Sequence, residues 1–184
     1  MFQKIKPDVP ISIDIKDNSN QEACRKVYEL IRNYDRFETT LVGSEKSKVQ
    51  RYMRSLDSRL AILFGEDDGF MMIFGYLTGL LPYMSFDCEA ALLPYMTKDF
   101  LKMKQEERRQ AQSWGKKLFY SVYIIMVQVV NMFFNPVIQN FNKRGIFTAY
   151  WVLNQPGEVT HIARTSPVMA ILTDRTKTIK QYLL

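Results

Sequence analysis

The stretch Pro10-Ile11-Ser12-Ile13-Asp14-Ile15-Lys16-Asp17-Asn18 organises the rest of the chain. Isoleucine alternates there with Ser, Asp and Lys, which is the two-residue period of a β-strand. The alternation predicts that Asp14 and Lys16 point to the same side, near the carboxyl end of the strand. Sites of α/β folds lie at that end. A surface ion pair on an edge strand is the alternative interpretation.

A helix is predicted directly after this strand. Residues 17–19 form a polar loop, and Ser19 is placed as a helix N-cap with Glu22 completing a capping box. Apolar residues then recur on one helical face across residues 21–36. The local unit is therefore strand, short loop, helix.

Strands and helices continue to alternate on both sides of the middle of the chain. Residues 39–42 and 60–64 are β-prone, and a charged helix is predicted between them at residues 45–56. Towards the end, strands are predicted at residues 146–153 and 168–174. A short helix with Pro156 near its first turn lies between these strands, and a closing helix covers residues 175–184. This order is typical of a parallel sheet with helices outside it.

The middle of the chain has a different composition. Residues 69–86 carry no charge and are interrupted by Gly75, Gly79 and Pro82, and a short strand is predicted at residues 90–93. Basic residues outnumber acidic ones across residues 98–117, and residues 118–142 are again uncharged. Glu66, Asp67 and Asp68 are predicted to form a solvated turn that caps the next helix, and a cation-binding rim is the alternative.

Composition limits the classes of partner. The 184 residues carry a formal charge of +6, which favours an anionic partner. The basic segment lacks interleaved aromatic residues, so we expect no nucleic acid. Its apolar neighbours favour an anionic membrane surface instead. A solvated helix with pairs such as Glu106 and Arg109 is one alternative. A transmembrane helix at residues 118–134 is another, although that run is marginal in length.

The two cysteines and the N-terminus bear on location. Cys24 and Cys88 form no metal-binding or disulfide-rich pattern, and the first seven residues contain no apolar core of signal-peptide length. We therefore expect reduced thiols in an intracellular, membrane-associated protein, at a cytoplasmic or endomembrane surface.

Three motifs in fixed order resemble a known family. Ile13-Asp14-Ile15-Lys16, Tyr150-Trp151-Val152-Leu153-Asn154 and Leu172-Thr173-Asp174 resemble the glycerophosphodiester phosphodiesterase family. The stretch from Pro10 to Asn18, with Thr78-Gly79-Leu80-Leu81-Pro82, is similar to its membrane-associated lysophospholipase D branch. The resemblance covers essentially the whole chain.

This resemblance implies a fold, a metal and three site residues. The family is a TIM (β/α)₈ barrel that uses a divalent cation, usually calcium or magnesium. Asp14 would be a metal ligand, although the family often has glutamate there. Lys16 would stabilise charge on the phosphoryl oxygens. Trp151 would line the substrate pocket, with an ordinary packing role as the alternative.

The chain departs from the family pattern in its histidines. The family's first three strands carry two histidine motifs and a metal-binding acid pair, and the thirteen residues before Asp14 contain no histidine. The only histidine, His161, falls in a predicted outer helix. The chain therefore resembles strands four to eight of a truncated barrel without strands one to three.

The function implied by the resemblance is hydrolysis of glycerophosphodiesters or lysophospholipids at the phosphodiester bond. We expect residues 1–184 to form one partial barrel domain, with a hydrophobic and basic membrane-facing insertion around residues 69–142. Without the histidines that move protons, the chain alone is expected to be inactive as a phosphoric diester hydrolase. The rival interpretation is a non-catalytic module or pseudoenzyme that binds lipid or membrane.

Overall fold

The computed structural model describes residues 2–16, 21–44, 46–151 and 153–183, except the side chains of Val130, Phe133 and Leu183. Strands and helices alternate through these ranges. The strands are β1 (Ile11–Asp14), β2 (Thr40–Gly43), β3 (Ala61–Ile62), β4 (Ala90–Pro94), β5 (Phe147–Trp151) and β6 (Ala170–Ile171). The helices are α1 (Gln21–Asn33), α2 (Ser47–Leu56), α3 (Glu66–Thr78), α4 (Lys98–Gln110), α5 (Trp114–Phe133), α6 (Asn135–Lys143), α7 (Pro156–Thr165) and α8 (Thr176–Leu183).

The strands form two three-stranded sheets, in the orders β1-β2-β3 and β4-β5-β6. β1 pairs in parallel with β2, so that Asp14 is opposite Gly43, and β2 pairs in parallel with β3. In the second sheet, β5 pairs in parallel with β6. The predicted α/β class with parallel strands is therefore confirmed. Strands four to eight of a barrel would be five strands, whereas the described ranges contain six.

Contacts divide the chain into two compact units, Met1–Ala91 and Leu92–Leu184, and the division falls within β4. The core of the first unit contains Ile11 and Ile15 from the β1 segment, Ile31 from α1 and Met53 from α2. Tyr150, Phe141, Leu153 and Ile162 are almost fully buried in the second unit. Burying one such side chain typically stabilises a fold by about 1.5–3 kcal/mol. The expectation of a single domain over residues 1–184 stays a prediction.

The uncharged run at residues 69–86 differs from its prediction. Gly75 does not interrupt it, because α3 continues from Glu66 to Thr78 and ends at Gly79 in the left-handed conformation, at φ 73°. A Cβ at Gly75 would collide with the Met84 sulfur and would lie 3.1 Å from the Leu81 Cα. Gly75 therefore lets the 3₁₀ turn Leu81–Tyr83 pack directly on the helix.

Helix ends also differ from the sequence-based bounds. The acidic triplet predicted as a turn forms the first turn of α3, and the Asp68 carboxylate accepts a hydrogen bond from the Gly65 amide, as a cap. The basic segment 98–117 is not one helix, because α4 ends at Gln110 and α5 begins at Trp114 with Ser113 as its N-cap. The strand predicted at residues 168–174 is reduced to Ala170–Ile171. Ser19, Glu45 and Val152 lie outside the described residues.

The two helices that follow β4 pack against each other, and the Glu106–Arg109 pair forms at 3.6 Å on α4 as predicted. In the part of the chain that the structure covers, we find no helix with both the length and the hydropathy needed to cross a membrane.

Candidate functional site

The predicted pair of charged residues forms at the carboxyl end of β1. The Lys16 ammonium lies 2.8 Å from the Asp14 carboxylate, with 68% and 51% of the two side chains exposed. The two side chains therefore share a face, as the alternation predicts. β1 is also the first strand of its sheet, so the geometry suits both a site at a strand end and an ion pair on an edge strand.

A second ion pair and a buried amide lie after the next two strands of this sheet. The Lys46 ammonium, three residues beyond β2, lies 3.2 Å from the carboxylate of Glu66, which follows β3. Gln50, only 8% exposed, donates from Nε2 to the carbonyl oxygens of Ser44 and Leu63, both at 2.9 Å. Because carboxyl ends of parallel strands meet at one edge, Gln50 fixes the chain segments that carry the charged groups there. Sequence reasoning missed Gln50, since a glutamine on a charged helix gives no local signal.

Trp151 is held by contacts within the second unit. Its indole Nε1 donates to the Leu92 carbonyl oxygen at 3.1 Å, and its ring packs edge-on against Phe100, with centroids 5.9 Å apart. The side chain is only partly buried, at the last residue of β5. These contacts establish a packing role. A role in lining a substrate pocket stays a prediction, since Trp151 lines neither of the two cavities described below.

A polar network that the sequence did not predict joins the ends of β5 and β6. Asn154 Nδ2 donates to the Asp174 carboxylate at 3.1 Å. Asn154 Oδ1 accepts from the Thr173 hydroxyl and from the Asp174 amide, both at 3.0 Å. The segments that contain Asn154 and Asp174 are both motifs of the family resemblance, and this was the sequence signal that could have indicated the network. Asn154 therefore links the two motifs through its side-chain amide.

The described residues do not form a set of metal ligands. No three His, Cys, Asp or Glu side chains among them are close enough to hold a metal ion together. Asp14 is engaged by Lys16, and calcium seeks 6–8 oxygen ligands. The residues described here therefore do not fit a divalent cation by themselves.

A cavity of about 200 Å³ in the first unit brings three carboxylates near two guanidinium groups. It is lined by Asp67, Asp68 and Asp87 together with Arg51 and Arg54. Burial raises the pKa of the Asp68 carboxyl, whose hydrogen bond from the Gly65 amide opposes that shift. The cavity thus has three acidic and two basic lining side chains, and Asp68 caps α3 as predicted; the cation-binding rim stays an alternative.

His161 lies on α7 and is exposed. This position agrees with the predicted outer helix. It lines a groove of about 460 Å³ in the second unit, and none of the predicted site residues lines that groove. The structure therefore does not bring His161 together with Trp151, the site residue predicted in the same unit.

Comparisons with known proteins bear on the whole chain. No protein-family model matches it. It is 25% identical to lysophospholipase D GDPD3 of Homo sapiens over 183 residues, which is 100% of this chain and 54% of that protein. It is 28% identical to lysophospholipase D GDPD1 of Rattus norvegicus over 177 residues, which is 96% of this chain and 53% of that protein. The chain thus spans about half the length of the curated relatives it matches.

A solved structure supports the fold. The chain is similar to a glycerophosphodiester phosphodiesterase from Agrobacterium tumefaciens, with a TM-score of 0.55, 12% sequence identity and coverage of 95% of this chain and 55% of that one. At this identity the likeness concerns the fold alone. Taken together, the curated relatives and this structural neighbour confirm the resemblance of the chain to the glycerophosphodiester phosphodiesterase family and its lysophospholipase D branch.

Proposed function

We propose that this chain carries part of the phosphate site of a lipid phosphodiesterase of the lysophospholipase D type. Its substrates would be lysophospholipids or glycerophosphodiesters. The observation that carries the proposal is the Asp14–Lys16 pair at the carboxyl end of β1, inside the motif that resembles the family. The curated relatives, which are lysophospholipases D, support the substrate class.

In this proposal Lys16 stabilises negative charge on the phosphoryl oxygens. Its ammonium is largely exposed, so a phosphate can approach it from solvent. Asp14 restrains the ammonium near the strand end, which reduces the reorganisation needed when the phosphate binds. Lys46, after β2, would add a second ammonium to the same edge of the sheet.

The family resemblance also implies a divalent cation with Asp14 among its ligands. The described residues supply too few additional oxygen ligands for that role, so no step is assigned to a cation here. Cation binding by a complete family domain remains an expectation. Under it, Asp14 would have to exchange its contact with Lys16 for one with the metal.

We also propose that the chain by itself does not hydrolyse the phosphodiester. The leaving alkoxide needs a proton, and the nucleophile must lose one. Positioned acid–base groups typically contribute ~10²–10⁴-fold to such reactions. His161 is the only histidine in the sequence, and it is exposed on α7.

Two measurements test this proposal. The purified chain should release no choline from lysophosphatidylcholine above a blank, with or without calcium or magnesium. Metal-dependent turnover that disappears in Asp14→Ala would overturn the proposed inactivity. In a longer relative that carries this segment, Lys16→Met should slow turnover by ~10²–10³-fold. Asp14→Asn should weaken its dependence on the cation. Wild-type rates in both variants would contradict the site assignment.

A second candidate function is non-catalytic binding to an anionic membrane surface. The supporting observation is that large apolar side chains are exposed on two helices. On α3 they include Phe70, Phe74 and Leu77. On α5 they recur every three or four residues, on one face: Leu118, Val122, Ile125, Val129 and Met132. Basic residues on α4 and at the start of α5 lie near this second face in sequence.

Flotation with liposomes tests the membrane proposal. Anionic vesicles should recover more chain than neutral vesicles or buffer alone. Ile125 is 60% exposed in the apolar face of α5. Ile125→Glu should reduce recovery, because it places a charge in that face. Gln128→Glu adds the same charge at an exposed polar position of α5 and serves as the matched control. Equal recovery under all lipid conditions would defeat the proposal.

An intracellular location is part of the same proposal. Cys24 and Cys88 are both buried, and neither forms a disulfide. Burial raises the pKa of the Cys88 thiol to about 12, which leaves it protonated and poorly reactive. Cysteines that are not in disulfides are typical of proteins in reducing compartments. Fractionation of cells that express the chain, with the membrane pellet compared with the supernatant, tests both the compartment and the attachment.

A further inference from the structure

The groove on the second unit lies between two packed helices, α7 and α8. It has a volume of about 460 Å³. Thr160, His161 and Arg164 line it from α7, and Tyr182 lines it from α8. The proposed phosphodiesterase function uses none of these residues, so the groove is an independent feature of the fold.

The charge in the groove is of one sign. His161 and Arg164 are three positions apart on α7 and therefore neighbours on one helix face. Neither side chain makes an ion pair or hydrogen bond within the described residues. No residue lining the groove is acidic. The one carboxylate of α7, Glu158, is not a lining residue and accepts instead from the Lys98 amide at 3.3 Å.

The shape of the groove leaves room above the helix. Gly157 lines it, and a Cβ built at Gly157 would meet no atom within 4 Å. A methyl group at this position therefore enters open space. Tyr182 is 56% exposed, and its ring offers an apolar surface in the same groove as the Arg164 guanidinium.

We propose that this groove binds a phosphate oxyanion. Arg164 supplies a permanent positive charge and a fork of N–H donors that matches phosphate geometry. The His161 imidazole and the Thr160 hydroxyl add donors on the same wall. The phosphate can be free or the head group of a lysophosphatidate, whose apolar part would contact Tyr182. The proposal stands whether or not the chain takes part in phosphodiester hydrolysis.

Titration of the ¹⁵N-labelled 184-residue chain, followed by amide chemical shifts, tests the proposal. The two probes are inorganic phosphate and a short-chain lysophosphatidate below its micellar concentration, at ionic strength held constant with chloride. Both should give saturable shifts confined to α7 and α8, with a Kd of ~1 mM for an exposed site of this kind. Tighter binding of the lysophosphatidate would assign the head group as the source, and equal binding would assign free phosphate.

Four variants give the comparison. Arg164→Gln should weaken binding by ~10-fold or more, because it removes a charge-assisted hydrogen bond. Gly157→Glu should weaken it similarly by adding repulsive charge in the open space. Gly157→Ala and Arg175→Gln should bind as the wild type, the latter because it removes an exposed cation that does not line the groove. Shifts without saturation, shifts centred on α3 or α5, or wild-type affinity in both Arg164→Gln and Gly157→Glu would overturn the proposal.

Discussion

The side-chain amide nitrogen of Gln50 lies 2.9 Å from the carbonyl oxygen of Leu63, thirteen residues further along the chain. The same nitrogen also donates to the Ser44 carbonyl oxygen at 2.9 Å. One buried amide therefore satisfies two main-chain acceptors where β2 and β3 give way to their loops. The Lys46–Glu66 ion pair joins the same two loops.

Gln50→Met tests this role. Methionine has similar length but no donor, so two buried carbonyl groups would lose their partner. We expect the free energy of unfolding to fall by about 1–3 kcal/mol, the usual cost of unsatisfied buried polar groups. Urea unfolding followed by circular dichroism measures it. Lys48→Met, at an exposed position of the same helix, is the control and should change stability by less than ~0.5 kcal/mol.

Arg54 and Glu89 form another set of long-range polar contacts in the first unit. Arg54 Nη2 lies 2.8 Å from both carboxylate oxygens of Glu89, and Nη1 donates to the Leu60 carbonyl oxygen at 2.7 Å. The Arg54 side chain is 19% exposed. Because Glu89 is half exposed, solvent screens the pair, and we expect Arg54→Met to cost about 1–2 kcal/mol.

Arg109→Met is the matched control for Arg54→Met. Arg109 is 77% exposed and lies 3.6 Å from Glu106, so its loss should cost less than ~0.5 kcal/mol. Urea unfolding measures both variants. Equal destabilisation would contradict the expectation that the less exposed Arg54 contributes more to stability than the exposed Arg109.

The carboxyl group of Asp57 makes the free energy of unfolding depend on pH. Its carboxylate accepts from the Arg59 amide and guanidinium, and these hydrogen bonds lower its pKa from 3.8 to about 2. A lowered pKa in the folded state adds stability above the unfolded value, and that contribution is lost as pH falls from about 4 towards 2. Asp57→Asn should therefore be destabilising at pH 6, and the difference from wild type should shrink below pH 4. A carboxyl titration midpoint near 4 by NMR would disprove this assignment.

Gly75 and Gly157 form a pair of glycines with opposite surroundings. Gly75→Ala would push a methyl group against the Leu81 backbone and the Met84 side chain, and we expect it to cost about 1–3 kcal/mol. Gly157→Ala enters open space in the first turn of α7 and should be neutral or stabilising by up to ~1 kcal/mol. Thermal unfolding of the two variants measures the difference. Similar melting temperatures would show that the Leu81–Tyr83 turn does not press on α3.

The sequence by itself determined the features that depend on local spacing. The two-residue alternation of Ile11, Ile13 and Ile15 predicted β1 and the shared face of Asp14 and Lys16, because side-chain direction in a strand alternates residue by residue. The order of strands and helices predicted parallel pairing, since consecutive parallel strands need a crossover connection.

The tertiary structure decided the features that depend on residues far apart in the chain. Gln50 and Asn154 each have partners more than ten residues away. Nothing in the local sequence marks Gln50, and the motif that contains Asn154 does not show which side chains Asn154 contacts. Gly75 looked like a helix breaker because its local conformational cost is high, yet packing against Leu81 outweighs that cost. Local periodicity fixes which way a side chain points, whereas only the packed chain determines what it meets there.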